Sequence, residues 1–430
     1  MVRFVDEPTR QTPVLAETQV LVLGGGSAGA AAAIAAARTG ADVILVERTG
    51  ALGGLATGGL IILLLTLDDG DGRQVVAGLC QEITERMLAR HGAYAPPRDH
   101  WASYDSALVE HYRRHGLVWG GGPHRVRYSV AYDPEELRFG LNEMATGAGV
   151  RLLFHSWACE AIVDGTRLRG AILQTKSGRR AILADVVIDA TGDGDIFAAA
   201  GVPHEKEKVL PWLWFRMGGV EDIDGAIAAG GWFFHTIGHA QALFPWGATE
   251  PVAGKIDATD PWDLSRAEVE CRRHVMQEVD RLRREDPRFA RAHLCDVASQ
   301  LGITESRRAL GVYVLRREDA DRSFDDAIAV TGNWTKYGTT YSIPYRSLLL
   351  NELDNLLVAG RCISADHRAH HSTKEIPPCM ATGQAAGTAA ALALERGTTP
   401  RELDVALLRD RLERDGAMVR LAPHGGQSGN

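Results

Sequence analysis

The sequence predicts an α/β protein: a doubly wound nucleotide-binding domain, split along the chain, with an α+β cap inserted into it. Three observations predict this. A strand, glycine turn, helix and second strand follow one another within residues 18–47. A second buried strand, Asp185 to Ala190, runs into Thr191-Gly-Asp-Gly-Asp195. The same texture returns at Asn355–Arg361 and a long alanine-rich helix, after an aromatic-rich interruption. The predicted boundaries are 1–204 and 341–430 for the split domain and 205–340 for the cap.

The first unit begins with Thr18–Leu23, a β-branched and apolar run that suits a strand buried on both faces. It ends in Gly24-Gly-Gly-Ser-Ala-Gly29, and Ala30 to Arg38 continue as an almost pure alanine helix. Val43 to Val46 form the next strand, closed by Glu47. Gly24-x-Gly26-x-x-Gly29 carries the dinucleotide spacing. Gly24 permits the tight turn, Gly26 lets a diphosphate approach bare backbone, and Gly29 lets helix and strand pack closely. The helix amino end offers unpaired N–H groups to phosphate. Ser27 and Ala28 stand in the same turn. Glu47, 18 positions beyond Gly29, suits a ribose hydroxyl and opposes a 2′-phosphate. The motif alone serves NAD and FAD equally.

Further segments favour the longer cofactor. Arg48 and the small-residue stretch Gly53-Gly54-Leu55-Ala56 follow Glu47, Thr191-Gly192 ends a later strand, and Gly360-Arg361 precedes a helix carrying Gly383-Gln384-Ala-Ala-Gly387. An NAD domain is compact and contiguous, whereas FAD draws on both ends of a chain. Between these segments, Pro134 to Gly147 reads as a helix opened by Asp133. Arg151–Phe154, Cys159–Val163, Gly170–Gln174 and Arg180–Leu183 read as short strands. In the cap, Ser265 to Arg284 reads as an amphipathic helix. Trp212, Trp214, Trp232, Phe233, Phe234, Phe244, Trp246, Trp262 and Trp334 are expected to pack rather than to stack on substrate.

Length and composition bound the function. A chain of 430 residues with 45% hydrophobic and 24% charged residues can bury a large core and is neither disordered nor fibrous. A net charge of −8 opposes a nucleic-acid partner. The six cysteines form no CxxC pair, which suits a reducing compartment. Met1 to Thr18 lack an apolar leader core. Leu60–Leu65, the longest greasy run, is far short of the roughly 20 residues of a spanning helix. A cytoplasmic location is expected.

From Val20 to Leu394 the chain resembles the FAD-dependent oxidoreductases related to fumarate reductase and succinate dehydrogenase flavoproteins, with a glutathione-reductase-type Rossmann-like domain. The resemblance rests on Leu23–Gly29, Glu47 with Leu52-Gly-Gly54, Val187–Asp195, Glu305-Ser-Arg-Arg308 with Gly311-Val-Tyr313, Tyr341–Leu348, Asn355–Ser364 and Gly383–Gly387. It implies FAD as cofactor, with Glu47 on the adenosine ribose, the Gly53 segment toward the flavin, and the Gly383 helix aiming its amino end at the flavin pyrimidine. Such a helix end favours negative charge on the ring. No His, Cys or Tyr lies between Gly53 and Leu67, so attachment is expected to be non-covalent. The fumarate reductase substrate residues do not align, the disulfide-reductase cysteine pair is missing, and no second GxGxxG follows a strand.

Candidate chemistry lies in the polar stretch Arg361–Glu375. His370 and His371 are the leading acid–base candidates. Lys374 is a candidate positive contact to cofactor or substrate. Arg307 and Arg308 are read as helical, either pairing with Glu318 and Asp319 or turning an Arg fork toward an anionic substrate. Asp195 is expected beside the cofactor, supporting the turn. His367, His370 and His371 can share a helical turn, but no metal is expected, because no acidic or cysteine partner sits at ligand spacing. The expected activity is hydride transfer between a small organic substrate and FAD. A flavin-bound electron-transfer or assembly component, or an NAD-dependent Rossmann dehydrogenase, are the alternatives. The electron acceptor or donor and self-association into a homo-oligomer are left open.

Overall fold

The computed structural model describes residues 5–245 and 254–420. Its centre is a seven-stranded sheet. Arg151–Leu153, Val43–Val46, Val14–Leu23 and Gly178–Asp189 lie side by side in parallel. Gly178–Asp189 is one continuous strand where the sequence suggested two, because it serves two neighbours on one edge. Its first half pairs antiparallel with Arg167–Thr175, and its last residues pair in parallel with Leu356–Val358. Trp157–Asp164 completes the antiparallel wing.

The helix Ser27–Arg38 packs on this sheet, and the late helix Ile376–Arg396 packs on that helix. Their alanine and glycine content has a steric cause. A β-carbon on Gly383 would lie 2.0 Å from the Ala28 carbonyl oxygen, and one on Gly387 2.0 Å from that of Ala32. The two backbones touch, which only small residues allow. The contact also carries residues from opposite ends of the chain to one place.

The helix Pro134–Gly147 forms as expected, with the Asp133 carboxylate accepting from the Glu135 N–H at 2.8 Å. Residues between Leu63 and Tyr132 build a separate small sheet. It encloses a fully buried ion pair, Arg127 Nε donating to Asp68 Oδ1 at 2.8 Å, with the guanidinium 3.5 Å from the centroid of Trp119 and 4.4 Å from that of Tyr337.

Within 205–340, Phe234–His235, Gln241–Phe244, Phe215–Gly218 and His293–Val297 form a four-stranded antiparallel sheet. Pro261–Glu285 is the expected amphipathic helix, with Ala267, Cys271, Val275, Val279 and Leu282 on its buried face. Phe215, Phe233, Phe244 and Phe289 form a ring cluster, so these aromatics are packing. Trp232 and Trp262 are exposed, and Trp246 lies outside the described residues.

Candidate functional site

The glycine turn shows three different steric roles. A β-carbon on Gly24, whose φ is +96°, would meet the Ala190 carbonyl oxygen at 2.5 Å; one on Gly29 would meet the Gly24 carbonyl oxygen at 1.7 Å. A β-carbon on Gly26 would meet nothing within 4 Å. Gly24 and Gly29 are thus fixed by the fold itself, whereas the space over Gly26 is left open. Gly26 is also the N-cap of Ser27–Arg38, and no side chain caps that helix. Backbone N–H groups at an uncapped helix start suit an anion. Gly53 and Gly54 run beside it: Gly53 N–H donates to the Gly25 carbonyl at 2.8 Å, and Ser27 Oγ lies 3.4 Å from the Gly53 carbonyl. Gly54, Leu55 and Ala56 form a short 3-10 turn.

Beside the turn is a cleft lined by Gly24, Glu47, Arg48, Trp157, Thr191 and Asp195. Glu47 is buried; Oε2 accepts from Gly25 N–H at 2.7 Å, and Oε1 accepts from Thr49 N–H and Oγ1. The Arg48 guanidinium lies over Trp157. The Thr191–Asp195 turn is held from both sides. Fully buried Asp189 accepts from Thr191 N–H and Oγ1 and from the N–H groups of Ile196 and Phe197. Asp193 accepts from Ser306 Oγ at 2.6 Å and from Arg361 at 2.8 Å. Burial alone would raise the Asp193 carboxyl, but Arg361 wins and holds it below its ordinary value. Asp195 moves the other way. Burial first, then the charges of Asp193 and Asp189, push it up to about 6.

Arg307 lies on a strand, Arg307–Ala309, instead of the expected helix. The strand pairs with His204–Lys206, and that tertiary pairing overrides the local pattern. Arg307 reaches the Asp193 carbonyl at 3.0 Å and the Asp195 carboxylate at 3.1 Å, so its guanidinium is fixed to the turn. Arg308 pairs with Glu305 and Glu205, not with Glu318 or Asp319. Fully buried, it also donates to the Ala365 carbonyl.

Gly360, with φ +79°, faces Ala28, and its N–H donates to Thr382 Oγ1. Gly383 and Gln384 are committed to protein. Gly383 seats the helix against Ala28, and Gln384 Oε1 accepts from Leu79 N–H at 2.9 Å, capping Leu79–Ala89. The amino end of their helix is two turns away, at Glu375–Ile376, and carries no side-chain cap. Lys374 precedes it and lies 3.4 Å from the Glu375 carboxylate.

The histidines sit on His367–Thr373, opened by the Asp366 carboxylate accepting from Arg368 and Ala369 N–H. His370 is fully buried, and Nε2 donates to the Arg361 carbonyl at 2.8 Å. Nδ1 has no hydrogen-bond partner among the described residues and lies 3.7 Å from Glu305 Oε2. Burial, reinforced by Lys374 and Arg308, holds this imidazole well below its ordinary value. His371 is half-buried, and burial together with Lys374 and His367 brings it down to about 4. Both are neutral at pH 7, the form that accepts a proton. His367 Nδ1 lies 2.9 Å from Glu305 Oε2; Glu305 was not among the site residues expected from sequence and is signalled only by the Glu305-Ser-Arg-Arg308 motif, whereas His367 was weighed there only as a metal ligand. Carboxylate oxygens of Glu207 and Glu305 and a nitrogen of His367 lie within 4.8 Å of one another, but Glu305 already has the Arg308 guanidinium against it.

Residues 19–412 match the family model described as FAD dependent oxidoreductase. The chain belongs to that family. It is a flavoenzyme family, so the protein is an FAD-dependent enzyme and not an NAD-dependent Rossmann dehydrogenase. No curated protein matches the sequence. Among solved structures, p-nitrophenol 4-monooxygenase from Pseudomonas putida is 10% identical with TM-score 0.50, covering 92% of this chain and 83% of its own. A geranylgeranyl bacteriochlorophyll reductase-like protein from Thermoplasma acidophilum is 14% identical with TM-score 0.47, covering 94% and 84%. L-amino acid deaminase from Proteus vulgaris is 13% identical with TM-score 0.44, covering 93% and 94%. At 10% identity the likeness to the monooxygenase is one of fold alone. This FAD-dependent oxidoreductase has no helix, among its described residues, long and apolar enough to cross a membrane.

Proposed function

We propose that this enzyme transfers a hydride between a small organic substrate and non-covalently bound FAD, as a dehydrogenase or oxidase. One observation carries the reading. The open, uncapped backbone at Gly26, the Thr191–Asp195 turn, Gly360-Arg361 and the approach to the helix Ile376–Arg396 are drawn together by the Ala28–Gly383 contact. They are separated by hundreds of residues in sequence, as a long two-ended nucleotide requires.

In this reading Gly24, Gly26, Ser27, Ala28 and Gly29 cradle the diphosphate. Glu47 Oε2, with one hydrogen bond from Gly25, keeps a lone pair for a ribose hydroxyl. Arg48, Thr191, Gly192 and Asp195 border the adenosine side, and Gly53, Gly54, Leu55 and Ala56 follow the middle of the cofactor. Gly360, Arg361 and Lys374 stand toward its flavin end. FAD, when bound, supplies the two-electron acceptor. The protein supplies the rest. The uncapped start of Ile376–Arg396 places partial positive charge at that end. His370 fixes the Arg361 carbonyl from the buried side. His371, neutral and half-open, offers a nitrogen to the substrate proton. The small-molecule substrate and the cytoplasmic location belong to this reading, as does the kinship with fumarate reductase flavoproteins, which rests on the motifs alone.

The test is spectral. Purified protein, or protein reconstituted with FAD, should show the visible absorption of oxidised flavin, released intact on denaturation. Anaerobic addition of a panel of small alcohols, amines and hydroxy acids should bleach it with at least one member. A flavin that no member of the panel bleaches would count against the hydride-transfer reading.

A further inference from the structure

The three histidines of His367–Thr373 are not equivalent, and their hydrogen bonds decide which of them can act. Glu305 is buried, with the Arg308 guanidinium against Oε1. That cation favours the carboxylate form, which only accepts hydrogen bonds. His367 Nδ1, 2.9 Å from Glu305 Oε2, must therefore carry a proton. In neutral His367 that leaves Nε2 as an acceptor. His367 Nε2 lies 3.4 Å from His371 Nε2, with the two rings perpendicular at 90°. The hydrogen bond then requires His371 to donate from Nε2, which leaves the lone pair of His371 on Nδ1. His370 is fixed otherwise. Its Nε2 donates to the Arg361 carbonyl, and its Nδ1 is sealed in the interior. His367 is the more exposed ring, but both its nitrogens are engaged, Nδ1 on Glu305 and Nε2 on His371. Among the three, His371 is the half-buried ring that keeps a nitrogen uncommitted outside the sealed interior.

We infer that Glu305, His367 and His371 form a carboxylate–imidazole–imidazole relay that presents His371 Nδ1 as the general base for the substrate, with Glu305 and His367 as positioning residues. The inference rests on the hydride-transfer reading for its chemistry, but not for its geometry. In the step, the heteroatom–hydrogen bond of the substrate breaks and its proton forms a bond to His371 Nδ1. The electron pair left behind forms the new carbon–heteroatom double bond, while the adjacent carbon gives its hydrogen and two electrons as hydride to the oxidised flavin. The resulting imidazolium is held by its Nε2–H to His367, and through His367 Nδ1–H by Glu305. The proton need not travel along the chain.

The experiment is nitrogen NMR of ¹⁵N-histidine-labelled holoenzyme at pH 7, with His367→Asn and His371→Asn assigning the signals. His367 is expected as the Nδ1–H tautomer, and His371 as the Nε2–H tautomer with a downfield, exchange-protected ring proton that His367→Asn abolishes. His367 carrying its proton on Nε2, or His371 carrying it on Nδ1, overturns the relay. With a substrate that bleaches the flavin, His371→Asn should slow flavin reduction by about 10²–10⁴-fold without changing the flavin spectrum. An unchanged rate overturns the base assignment. A correct tautomer pattern with no substrate bleaching would instead count against the hydride-transfer reading, so the two failures are distinct.

Discussion

Gly383 and Ala28 meet backbone to backbone: the missing β-carbon of the glycine would lie 2.0 Å from the alanine's carbonyl oxygen. The contact sits where the helix Ser27–Arg38 begins, so the helix Ile376–Arg396 sets the position of the glycine turn. Gly383→Ala is expected to push the two helices apart and destabilise the protein by about 1–3 kcal/mol, read as a lower urea midpoint. FAD affinity should fall with it, because the turn moves.

Gly26 separates folding from binding. Its φ of −64° suits any L-residue, and a side chain there meets open space. Gly26→Val should therefore fold with a melting temperature close to the parent's and lose FAD by at least tenfold in affinity, checked by flavin fluorescence titration. A variant that retains parental affinity would remove the diphosphate from this turn. Gly29→Val, by contrast, would drive a methine carbon into the Gly24 carbonyl and should compromise folding itself.

The buried Asp68–Arg127 pair gives a coupling prediction. Arg127→Leu leaves the Asp68 carboxylate buried without its cation, at a cost of about 3–5 kcal/mol. Asp68→Leu combined with Arg127→Leu should lose less than the sum of the single changes, since no charge is then stranded. Denaturant titrations of the three variants measure the coupling.

Asp195 predicts a pH dependence in FAD-free protein. Its carboxyl is raised to about 6 in the fold, above the ordinary 3.8 of an unfolded chain. The unfolded state thus releases this proton first, so the stabilisation is complete below about pH 4 and is lost as pH rises through about 6. The loss is on the order of 2 kcal/mol, reduced because the group is partly exposed. Asp193, whose value is lowered, titrates below this window. Asp195→Asn should flatten the change in urea midpoint between pH 4 and 7.

The glycine turn and the strands around it were legible because most of their constraints are local. Gly29 answers to the carbonyl of Gly24 in the same turn, Gly26 to an open helix start, and Glu47 follows the very next strand, although the Ala190 carbonyl that fixes Gly24 lies far along the chain. The return of the chain to the same sheet was legible too, from the apolar run at Asn355–Arg361 and the alanine-rich helix after it. What Gly383 and Gln384 do was not: a small residue on a helix looks alike whether a cofactor or another backbone fills the space beside it. Nor was the strand at Arg307, whose partner His204–Lys206 lies a hundred residues away.

The sequence by itself determined the fold class and pointed to FAD as cofactor, since backbone sterics and helix ends carry that information residue by residue. Only the tertiary structure decided which imidazole keeps a usable lone pair. That choice depends on a carboxylate at position 305 meeting a ring at 367, and on a carbonyl at 361 sealing off His370. Hydrogen-bond partners so distant in sequence have no local signature, because they are chosen by the packing of the strands and helices that bear them.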